Sequence, residues 1–528
     1  MSHGEKVKAE MKKIDRSKKV RAFHQAKWDE PIIFELSRPG ERGISVPKAE
    51  AAVGAAFPDA QALIPAGMRR RKAPALPEMS QARVLRHYLR LSQETLGGDL
   101  NTEIGQGTCT VKYSPKVNEV LAKMPKLTDM HPAQDISTAQ GILEVFYKTD
   151  LLLREISGMD CFTMQPSGGS QAIMAMASIV RAYHEANGEG DTRDEFITTI
   201  YSHPSDAAAM VLKGYKLITI YPDKDGYSDV EAMKKAVSNR TAGFIVANPE
   251  DTGVYNKRIQ EFTKLVHEAG GVCCYDQANA NGLLGVTRAK EAGFDMCFFN
   301  LHKTFSTPHG CGGPATGALG VLEKFKRFMP KPLVDFNGKE YFLNYDVEKS
   351  IGKVRSFMGV APVVLKAYAW MMSLGAEGLY EAAKIAVLNN NYLCKKILEI
   401  PGASLPYNPE KQRVEQVRYS FDGLCQETGV TIEDIQNRMF DYACHFWTSH
   451  HPYIVPAPFT LEPTESYSMT ELDEYVEVIR SIANEARTNP DILRTAPHNS
   501  CCHKIDYTVL DDPEAWCITW RLYQRKAK

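Results

Sequence analysis

The sequence has no surplus of charge of either sign, because 63 lysine and arginine residues stand against 64 aspartate and glutamate residues, a formal net charge of −1. This balance gives no electrostatic reason to expect a nucleic acid or an anionic membrane as a main partner. The sequence also lacks any apolar run of about 18 or more residues, so we predict no transmembrane helix.

The cysteines lack the spacing of a metal site or of a disulfide framework. The 12 cysteines are scattered or adjacent, as at Cys273–Cys274 and Cys501–Cys502, and no two are spaced as CxxC. We therefore predict reduced thiols and no metal site. The N-terminal segment is charged and has no apolar core, which indicates no secretory signal. These features predict a cytoplasmic enzyme.

The middle of the chain has the pattern of an α/β protein. From about residue 155 to 325, short β-rich runs alternate with helical stretches, which predicts a mostly parallel sheet. A long helical stretch with a probable break at LGAEG follows, and then strand-like runs and further helices, which predict a smaller α+β domain. We therefore predict an N-terminal arm (1–90), a large domain (91–345) and a C-terminal small domain (346–528).

Polar residues follow three successive strands of the predicted sheet. The predicted strands are 161–164, 196–201, 216–221, 243–247, 272–275 and 296–299. In an open parallel sheet, ligands bind beyond the carboxyl ends of the strands. Asn248, Asp276 and Lys303 come just after the last three runs, and each gap fits one helix plus one strand. We expect these three side chains to converge at one edge of the sheet.

The three residue types together suit pyridoxal phosphate. A lysine amine forms a Schiff base with an aldehyde, a buried carboxylate keeps a pyridinium nitrogen protonated, and an asparagine can donate to the phenolate oxygen. The segment QPSGGSQA, with Gly169 and Ser170, adds a helix N-terminus that suits a phosphate. Each feature alone is better explained as a cap or a solvated side chain, but the ordered set favours the cofactor.

Several long motifs resemble those of one family. NLHKTFSTPHGCGGP (300–314) resembles the cofactor-lysine segment of the glycine cleavage system P-proteins, the decarboxylating glycine dehydrogenases. The other motifs that resemble this family are EPIIFELSRPGERGISVP, GQGTCTVKYSP, HPAQDISTAQGILEVFY, YDQANANGLLG, SIGKVRSFMGVAPVVLKAYAWMMSLGAEGL, AVLNNNYL and LEPTES. The chain is similar in length to subunit 2 of the two-subunit form, the half that binds the cofactor.

The resemblance implies the type I fold of pyridoxal-phosphate-dependent transferases. It implies that pyridoxal 5'-phosphate is covalently bound to Lys303 and that Asp276 faces the pyridine nitrogen. It further implies that Gln171 stacks on the ring, at a position where the family has histidine or glutamine. His302 and Thr304, which flank the lysine, are candidate cofactor contacts.

The resemblance also implies a reaction and its partners. Glycine would be decarboxylated through an external aldimine, and the aminomethyl group would pass to the lipoyl group of H-protein. The partners would be P-protein subunit 1 and lipoylated H-protein, in a two-plus-two heterotetramer. His203 is a candidate catalytic residue, and His203 and His309 are candidates for holding the substrate carboxylate. By itself, His203 in SHPSD is better explained as a loop histidine beside a helix cap.

Three segments depart from the family pattern and keep other functions open. SGGSQAI (167–173) stands for AAGAHGE, SHPSDAAA (202–209) for AHGTNPAS, and HGCGGPA (309–315) for HGGGGPG. The alternative is a divergent pyridoxal phosphate enzyme that decarboxylates, transaminates or eliminates on another amino acid or amine. A non-catalytic scaffold subunit is a third hypothesis, which the presence of Lys303 and Asp276 disfavours. Cys311 is a candidate for redox sensitivity, although an ordinary structural role is favoured.

Overall fold

The computed structural model describes residues 20–56, 59–97, 100–102, 104–105, 110, 112–310, 313–448 and 454–526. These residues divide into two units. The larger unit comprises the described residues within 1–21 and 98–496, and the smaller unit comprises those within 22–97 and 497–528.

The helices and strands are numbered here in chain order. The α-helices are α1 (Ala51–Ala56), α2 (Gln81–Gln93), α3 (Lys116–Ala122), α4 (Pro125–Thr128), α5 (Gln140–Ser157), α6 (Gly169–Ala186), α7 (Pro204–Leu212), α8 (Val230–Ala236), α9 (Ile259–Glu268), α10 (Glu323–Lys326), α11 (Ala361–Leu398), α12 (Asp422–Thr428), α13 (Ile432–Phe440), α14 (Met469–Thr488), α15 (Asp491–Arg494) and α16 (Trp520–Lys526). Short 3-10 helices span Ala60–Leu63, Ala66–Met68, Ile136–Thr138 and Tyr507–Leu510. The strands are β1 (Cys161–Thr163), β2 (Glu195–Thr199), β3 (Lys216–Ile220), β4 (Thr241–Ala247), β5 (Val272–Gln277), β6 (Met296–Asn300), β7 (Gly317–Val321), β8 (Leu333–Phe336), β9 (Tyr341–Asn344), β10 (Val417–Ser420) and β11 (Pro458–Leu461).

A seven-stranded sheet, in the order β1-β7-β6-β5-β4-β2-β3, lies in the larger unit. All the pairs formed among strands β2 to β6 are parallel. Strand β7 pairs antiparallel with both β6 and β1. The six predicted strands are all present, so the prediction of a mostly parallel sheet is confirmed. Strand β7 was not among the predicted strands.

Successive residues of the central strands pack into different cores, one on each face of the sheet. In β5, Cys273 and Tyr275 belong to one apolar cluster, whereas Cys274 belongs to another. Strand β6 alternates between the same two clusters. A strand that is buried on both faces has an uninterrupted apolar sequence, which is why these runs could be predicted from the sequence.

The surrounding helices bury one face each, as α9 illustrates. Its residues Ile259, Phe262 and Val266 are buried at helical spacing and belong to the first of these clusters. The opposite face of the helix is polar, as expected for an amphipathic helix on the outside of a sheet.

The C-terminal part of the larger unit contains a separate apolar core. Strands β10 and β11 form an antiparallel pair, and β8 and β9 form another. The long helix α11 has non-helical backbone at Gly375, with φ 64°, so the predicted break at LGAEG is confirmed. Leu393, Phe459 and Ile479 belong to the cluster that α11, β11 and α14 share. This arrangement of helices on a small antiparallel sheet is α+β, as predicted for this part of the chain.

The smaller unit combines an early segment of the chain with a late one. Within this unit, the backbone N–H of Cys501 donates to Oε1 of Gln25 at 2.9 Å, and the Phe34 and Trp520 rings are stacked with centroids 5.4 Å apart. The described residues from 497 onward therefore belong to one unit with those within 22–97, whereas the predicted small domain includes them. The three-part division at residues 90 and 345 stays a prediction. Within the described ranges, no helix has both the length and the hydropathy required to span a membrane.

Candidate active site

The ends of β4, β5 and β6 place three polar residues along one edge of the sheet. Ala247 is paired with Asp276, and Asp276 is paired with Phe298, in parallel register. Asn248 therefore follows β4 beside Asp276, and Asn300 ends β6 on the other side. Lys303 comes directly after this strand end, and its backbone N–H donates to the carbonyl of Asn300 at 3.0 Å. The carboxyl edge of a parallel sheet is the usual place for a ligand.

The segment around Lys303 is held by hydrogen bonds on both sides of the lysine. Thr304 is buried, and its hydroxyl oxygen accepts the backbone N–H of Ala280 at 2.9 Å. The hydroxyl of Ser306 donates to the carbonyl of Tyr113. Ser306 also has φ 59°, which is uncommon for a residue other than glycine and fits a constrained functional loop. Lys303 itself is half-buried.

Asp276 lies against a second carboxyl group. Its Oδ1 accepts the backbone N–H of Ala278 at 2.8 Å. Asp206, in the first turn of α7, is 0 % exposed. Burial, and then the neighbouring Asp276 carboxyl group, raise the pKa of Asp206 well above its usual value, whereas a backbone hydrogen bond at His203 and the charge of Lys303 oppose this rise.

Two further buried carboxyl groups lie near Lys303. Burial raises the pKa of Glu415 and that of Glu462, and the positive charge of Lys303 opposes both shifts. Oε1 of Glu462 accepts from the Asn279 amide at 2.6 Å, and its other oxygen accepts from the Thr110 hydroxyl at 2.8 Å. Lys303 thus lies among buried carboxyl groups whose neutral forms are favoured by burial.

Many buried polar atoms at this edge have no hydrogen-bond partner within the described part of the chain. They are Gln277 Oε1, Asn300 Oδ1, His302 Nδ1 and Thr316 Oγ1. Because buried polar atoms in folded proteins are nearly always hydrogen-bonded, such a group indicates a place for a polar ligand.

The start of α6 lies directly on the end of β6. A Cβ added at Gly169 would lie 3.0 Å from Nδ2 of Asn300, whereas a Cβ at Gly168 would meet nothing within 4 Å. Glycine at position 169 thus permits the close approach, and the backbone N–H groups of the first turn, which includes Ser170, suit an anion. In the same segment, Gln171 Oε1 accepts the backbone N–H of Ser167 at 2.7 Å, and Gln171 Nε2 donates to the Val354 carbonyl at 2.6 Å. The Gln171 side chain therefore ties this turn to the segment before α11.

Two other predicted site residues have local partners. Asn248 Oδ1 accepts the backbone N–H of Asn256 at 2.8 Å, and its Nδ2 donates to the Asn256 carbonyl at 3.3 Å, which closes the turn after β4. His203 is exposed, and its Nδ1 accepts the backbone N–H of Ser205 at 3.1 Å as the N-cap of α7. The cofactor role of Asn248 and the catalytic role of His203 stay predictions.

His302 is buried beside the lysine. Burial, and then the charges of Lys303 and His309, lower the pKa of His302 to about 3, so its ring is neutral near neutral pH. Its centroid lies 4.9 Å from that of His309. The roles predicted for His302, Thr304 and Gln171 as cofactor contacts stay predictions, and Cys311 lies outside the described residues.

Three of the acidic residues near the lysine were not predicted as site residues. Asp206 and Glu462 lie in SHPSDAAA and LEPTES, which were quoted above without a role for either residue. Glu415 precedes β10 in an ordinary strand-like run. None of the three had a local signal, because the burial of a carboxyl group cannot be seen in the sequence.

Comparison with protein families gives two overlapping matches, which together span residues 166–499. The aminotransferase class-V model matches residues 166–429, and the glycine dehydrogenase C-terminal domain model matches residues 382–499. Among solved structures, glycine decarboxylase (P-protein) of the glycine cleavage system, in inhibitor-bound form, is similar with a TM-score of 0.69 and 19% sequence identity, covering 83% of this chain and 100% of that chain. A NifS-like protein is similar with a TM-score of 0.54. These likenesses confirm the predicted type I fold.

Full-length relatives are considerably more similar in sequence. The probable glycine dehydrogenase (decarboxylating) subunit 2 of Pyrococcus furiosus is 42% identical over 504 residues, covering 95% of this chain and 98% of the relative. The protein of the same name from Caldanaerobacter subterraneus is 38% identical over 476 residues, covering 90% of this chain and 96% of the relative. The chain therefore belongs to the glycine dehydrogenase (decarboxylating) subunit 2 family.

Proposed function

We propose that this chain is the pyridoxal-phosphate-binding subunit of a glycine dehydrogenase, which decarboxylates glycine and transfers the aminomethyl group to the lipoyl group of H-protein. The observation that supports this most is the place of half-buried Lys303 just after the end of β6, which pairs in parallel with β5, the strand that contains the buried Asp276. Family membership adds the substrate, since the relatives are named for glycine.

The residues present fit pyridoxal phosphate. The amine of Lys303 suits an aldehyde, the Asp276 carboxylate suits a pyridine nitrogen, and the helix N-terminus at Gly169 suits a phosphate. The buried polar atoms without partners in the described ranges, Asn300 Oδ1 and His302 Nδ1 among them, are suited to a ligand with many oxygen and nitrogen atoms. When bound, this cofactor supplies an electron sink for the electron pair that is left when carbon dioxide departs.

The roles of the chain's own residues follow from their chemistry. With the cofactor bound, Lys303 would hold its aldehyde covalently, and the lysine amine could also act as a base that moves a proton at the substrate. Asp276 holds the proton at the pyridine nitrogen, and the Ala278 N–H fixes the orientation of its carboxylate. Backbone N–H groups at Gly169 and Ser170 bind the phosphate. His302, being neutral, adds no positive charge beside Lys303.

The partners follow from the family. A subunit 2 implies a subunit 1, and we further propose lipoylated H-protein as the acceptor and a two-plus-two heterotetramer as the assembly. A cytoplasmic location stays a prediction from the sequence.

A second candidate is the same cofactor chemistry on another amino acid or amine. It is favoured by the segments SGGSQAI and SHPSDAAA, which depart from the family pattern.

The test is exchange of labelled bicarbonate into the carboxyl group of glycine. We expect exchange when the cofactor-loaded chain, subunit 1 and lipoylated H-protein are combined, and no exchange when Lys303→Ala replaces the native chain. No exchange from the complete native mixture would contradict the glycine assignment. A panel of other amino acids, followed by the visible absorbance of the bound cofactor, then identifies the second candidate if one of them alters the spectrum and glycine does not.

A further inference from the structure

Cys501 and Cys502 form a pair of neighbouring thiols at the surface of the smaller unit. Their sulfur atoms lie 3.6 Å apart. Cys502 is exposed, and Cys501 is partly exposed. The cysteines of the central strands differ, because Cys273, Cys274 and Cys297 are 0 % exposed and burial raises the pKa of each. A thiol must lose its proton and be accessible in order to react, so the surface pair is better placed to react than these three.

The backbone at this pair of thiols is held by one buried side chain. Oε1 of Gln25, which is 6 % exposed, accepts the backbone N–H of Cys501 at 2.9 Å and the hydroxyl of Ser500 at 3.1 Å. The backbone N–H of Gln25 donates in turn to the carbonyl of Asn499 at 2.9 Å. The early and late segments of the smaller unit therefore fix the position of the pair together.

The two thiols have different surroundings. The thiol of Cys501 donates to the carbonyl oxygen of Glu94 at 3.1 Å, just after the end of α2. Burial, and then the hydrogen bond with Cys502, raise the pKa of Cys501, which keeps this thiol protonated. Because Cys502 is the exposed member, it is suited to react first, and Cys501 is suited to react second. An accessible cysteine beside a second, resolving cysteine is the usual arrangement of a redox-sensitive site.

We propose that Cys501 and Cys502 are a reversible thiol–disulfide exchange site for low-molecular-weight disulfides. The Cys502 thiolate attacks one sulfur of the small disulfide, a bond forms between these sulfurs, and one small thiolate leaves and takes up the proton that Cys502 lost. The Cys501 thiolate then attacks the sulfur of Cys502, and the second small thiolate leaves with the proton of Cys501. The small disulfide is thereby reduced by two electrons to two thiols, and the pair is oxidised to a disulfide.

A disulfide between adjacent cysteines is strained, which makes the reaction reversible. The Cα atoms of neighbouring residues lie about 3.8 Å apart across a trans peptide bond, whereas disulfides usually join Cα atoms that are about 4.4–6.8 Å apart. A strained disulfide is more easily reduced than a structural one, so an excess of a small thiol should restore the pair. Oxidation also removes the S–H of Cys501 that donates to Glu94, so the oxidised form loses a contact between the late segment and the end of α2.

The reaction is tested with dithionitrobenzoate, an aromatic disulfide whose released thiolate absorbs visible light. The reduced native chain should release two equivalents more than the double variant Cys501→Ser/Cys502→Ser. The native peptide that contains the pair should become lighter by two hydrogen atoms and should retain no aryl group. Cys501→Ser should release one equivalent fewer than the native chain and should retain the aryl group on Cys502.

Two further variants identify the order of reaction and the importance of the neighbouring thiol. Cys502→Ser should react at Cys501 about tenfold or more slowly than the native pair reacts, because the remaining thiol is only partly exposed. Cys517→Ser is the matched control, since it removes an exposed cysteine that has no cysteine beside it in the chain. It should release one equivalent fewer and leave the disulfide at the pair unchanged.

The mass of the native peptide decides the proposal without any variant. An aryl group that stays on Cys502 of the native chain, or a disulfide from the pair to a different cysteine, would overturn it. Native speed in Cys502→Ser would overturn the order of the two steps. Oxidised glutathione should form the same bond and an excess of reduced glutathione should break it, whereas a bond that survives this excess would overturn the reversibility. None of these measurements depends on the cofactor or on the proposed function.

Discussion

The backbone N–H of Ala280 donates a hydrogen bond to the hydroxyl oxygen of Thr304 at 2.9 Å. Ala280 lies in the loop after Asp276, and Thr304 is the residue next to Lys303. The bond therefore joins the two segments that contain the candidate residues for the pyridine nitrogen and for the aldehyde of the cofactor. Because Thr304 is fully buried, this contact is protected from water.

Replacing the Thr304 hydroxyl should loosen this connection. Thr304→Val keeps the shape of the side chain but leaves the buried Ala280 N–H without an acceptor, so the free energy of unfolding should fall by about 1–3 kcal/mol. Urea denaturation of the cofactor-free protein measures this change. Thr304→Ser retains the hydroxyl and serves as the control. Equal stability of the valine variant and the native chain would show that the bond is unimportant.

Replacing Asp276 with alanine should reduce turnover without preventing covalent attachment of the cofactor. Asp276→Ala leaves Lys303 in place, so covalent attachment should persist, but turnover should fall by roughly a hundredfold or more because a preorganised charge is lost. Steady-state kinetics of the complete system measure this ratio. Asp295→Asn, a buried aspartate change elsewhere on the sheet, should alter stability more than turnover per folded molecule. Near-normal turnover of Asp276→Ala would refute the role of this residue.

A methyl group added at Gly169, at the start of α6, should weaken cofactor binding, whereas one added at Gly168 should not. In Gly169→Ala the new Cβ would lie 3.0 Å from Asn300 Nδ2, so the helix start or the Asn300 amide must shift, at a cost of about 1–3 kcal/mol. Gly168→Ala is the matched control, since its Cβ would meet nothing within 4 Å. Titration with pyridoxal phosphate should show weaker binding for the first variant alone. Equal effects at both positions would argue against a phosphate site here.

His302 should make the protein less stable in acid. Its pKa is lowered from the usual value of 6.5 to about 3 in the folded state by burial. A lowered folded-state pKa means that the stabilisation is present above pH 6.5 and is lost as the pH falls toward 3, by about 5 kcal/mol at most. Unfolding of the native chain and of His302→Gln at several pH values isolates this term. The stability difference between the two should change below pH 6.5, and a constant difference would exclude a buried neutral histidine.

The central strands could be predicted from the sequence because each is apolar on both faces. Strand β7, Gly317–Val321, escaped prediction because GALGV has little β propensity, and its antiparallel pairing with β1 and β6 involves distant residues. The break in α11 at Gly375 could be predicted because glycine accommodates positive φ, which other residues adopt rarely.

The candidate site could be predicted only in part. Lys303 and Asp276 follow recognisable strands, so their placement at one edge of the sheet follows from the order of the chain. The proximity of Asp206 to Asp276 and that of Glu415 to Lys303 depend on tertiary folding alone, and no local pattern distinguishes such carboxyl groups from solvated ones. Likewise, the sequence offered no sign that the Asn248 amide closes its own turn.

The most direct test of the account is to identify the lysine that binds the cofactor. The chain is loaded with pyridoxal phosphate, reduced with borohydride and digested, and the labelled peptide is found by mass spectrometry. We predict a pyridoxyl-phosphate mass on Lys303 and no such label in Lys303→Ala, with Lys112, a buried lysine paired with Glu465, unlabelled in both. A label on another lysine, or no label on the loaded native chain, would contradict the account.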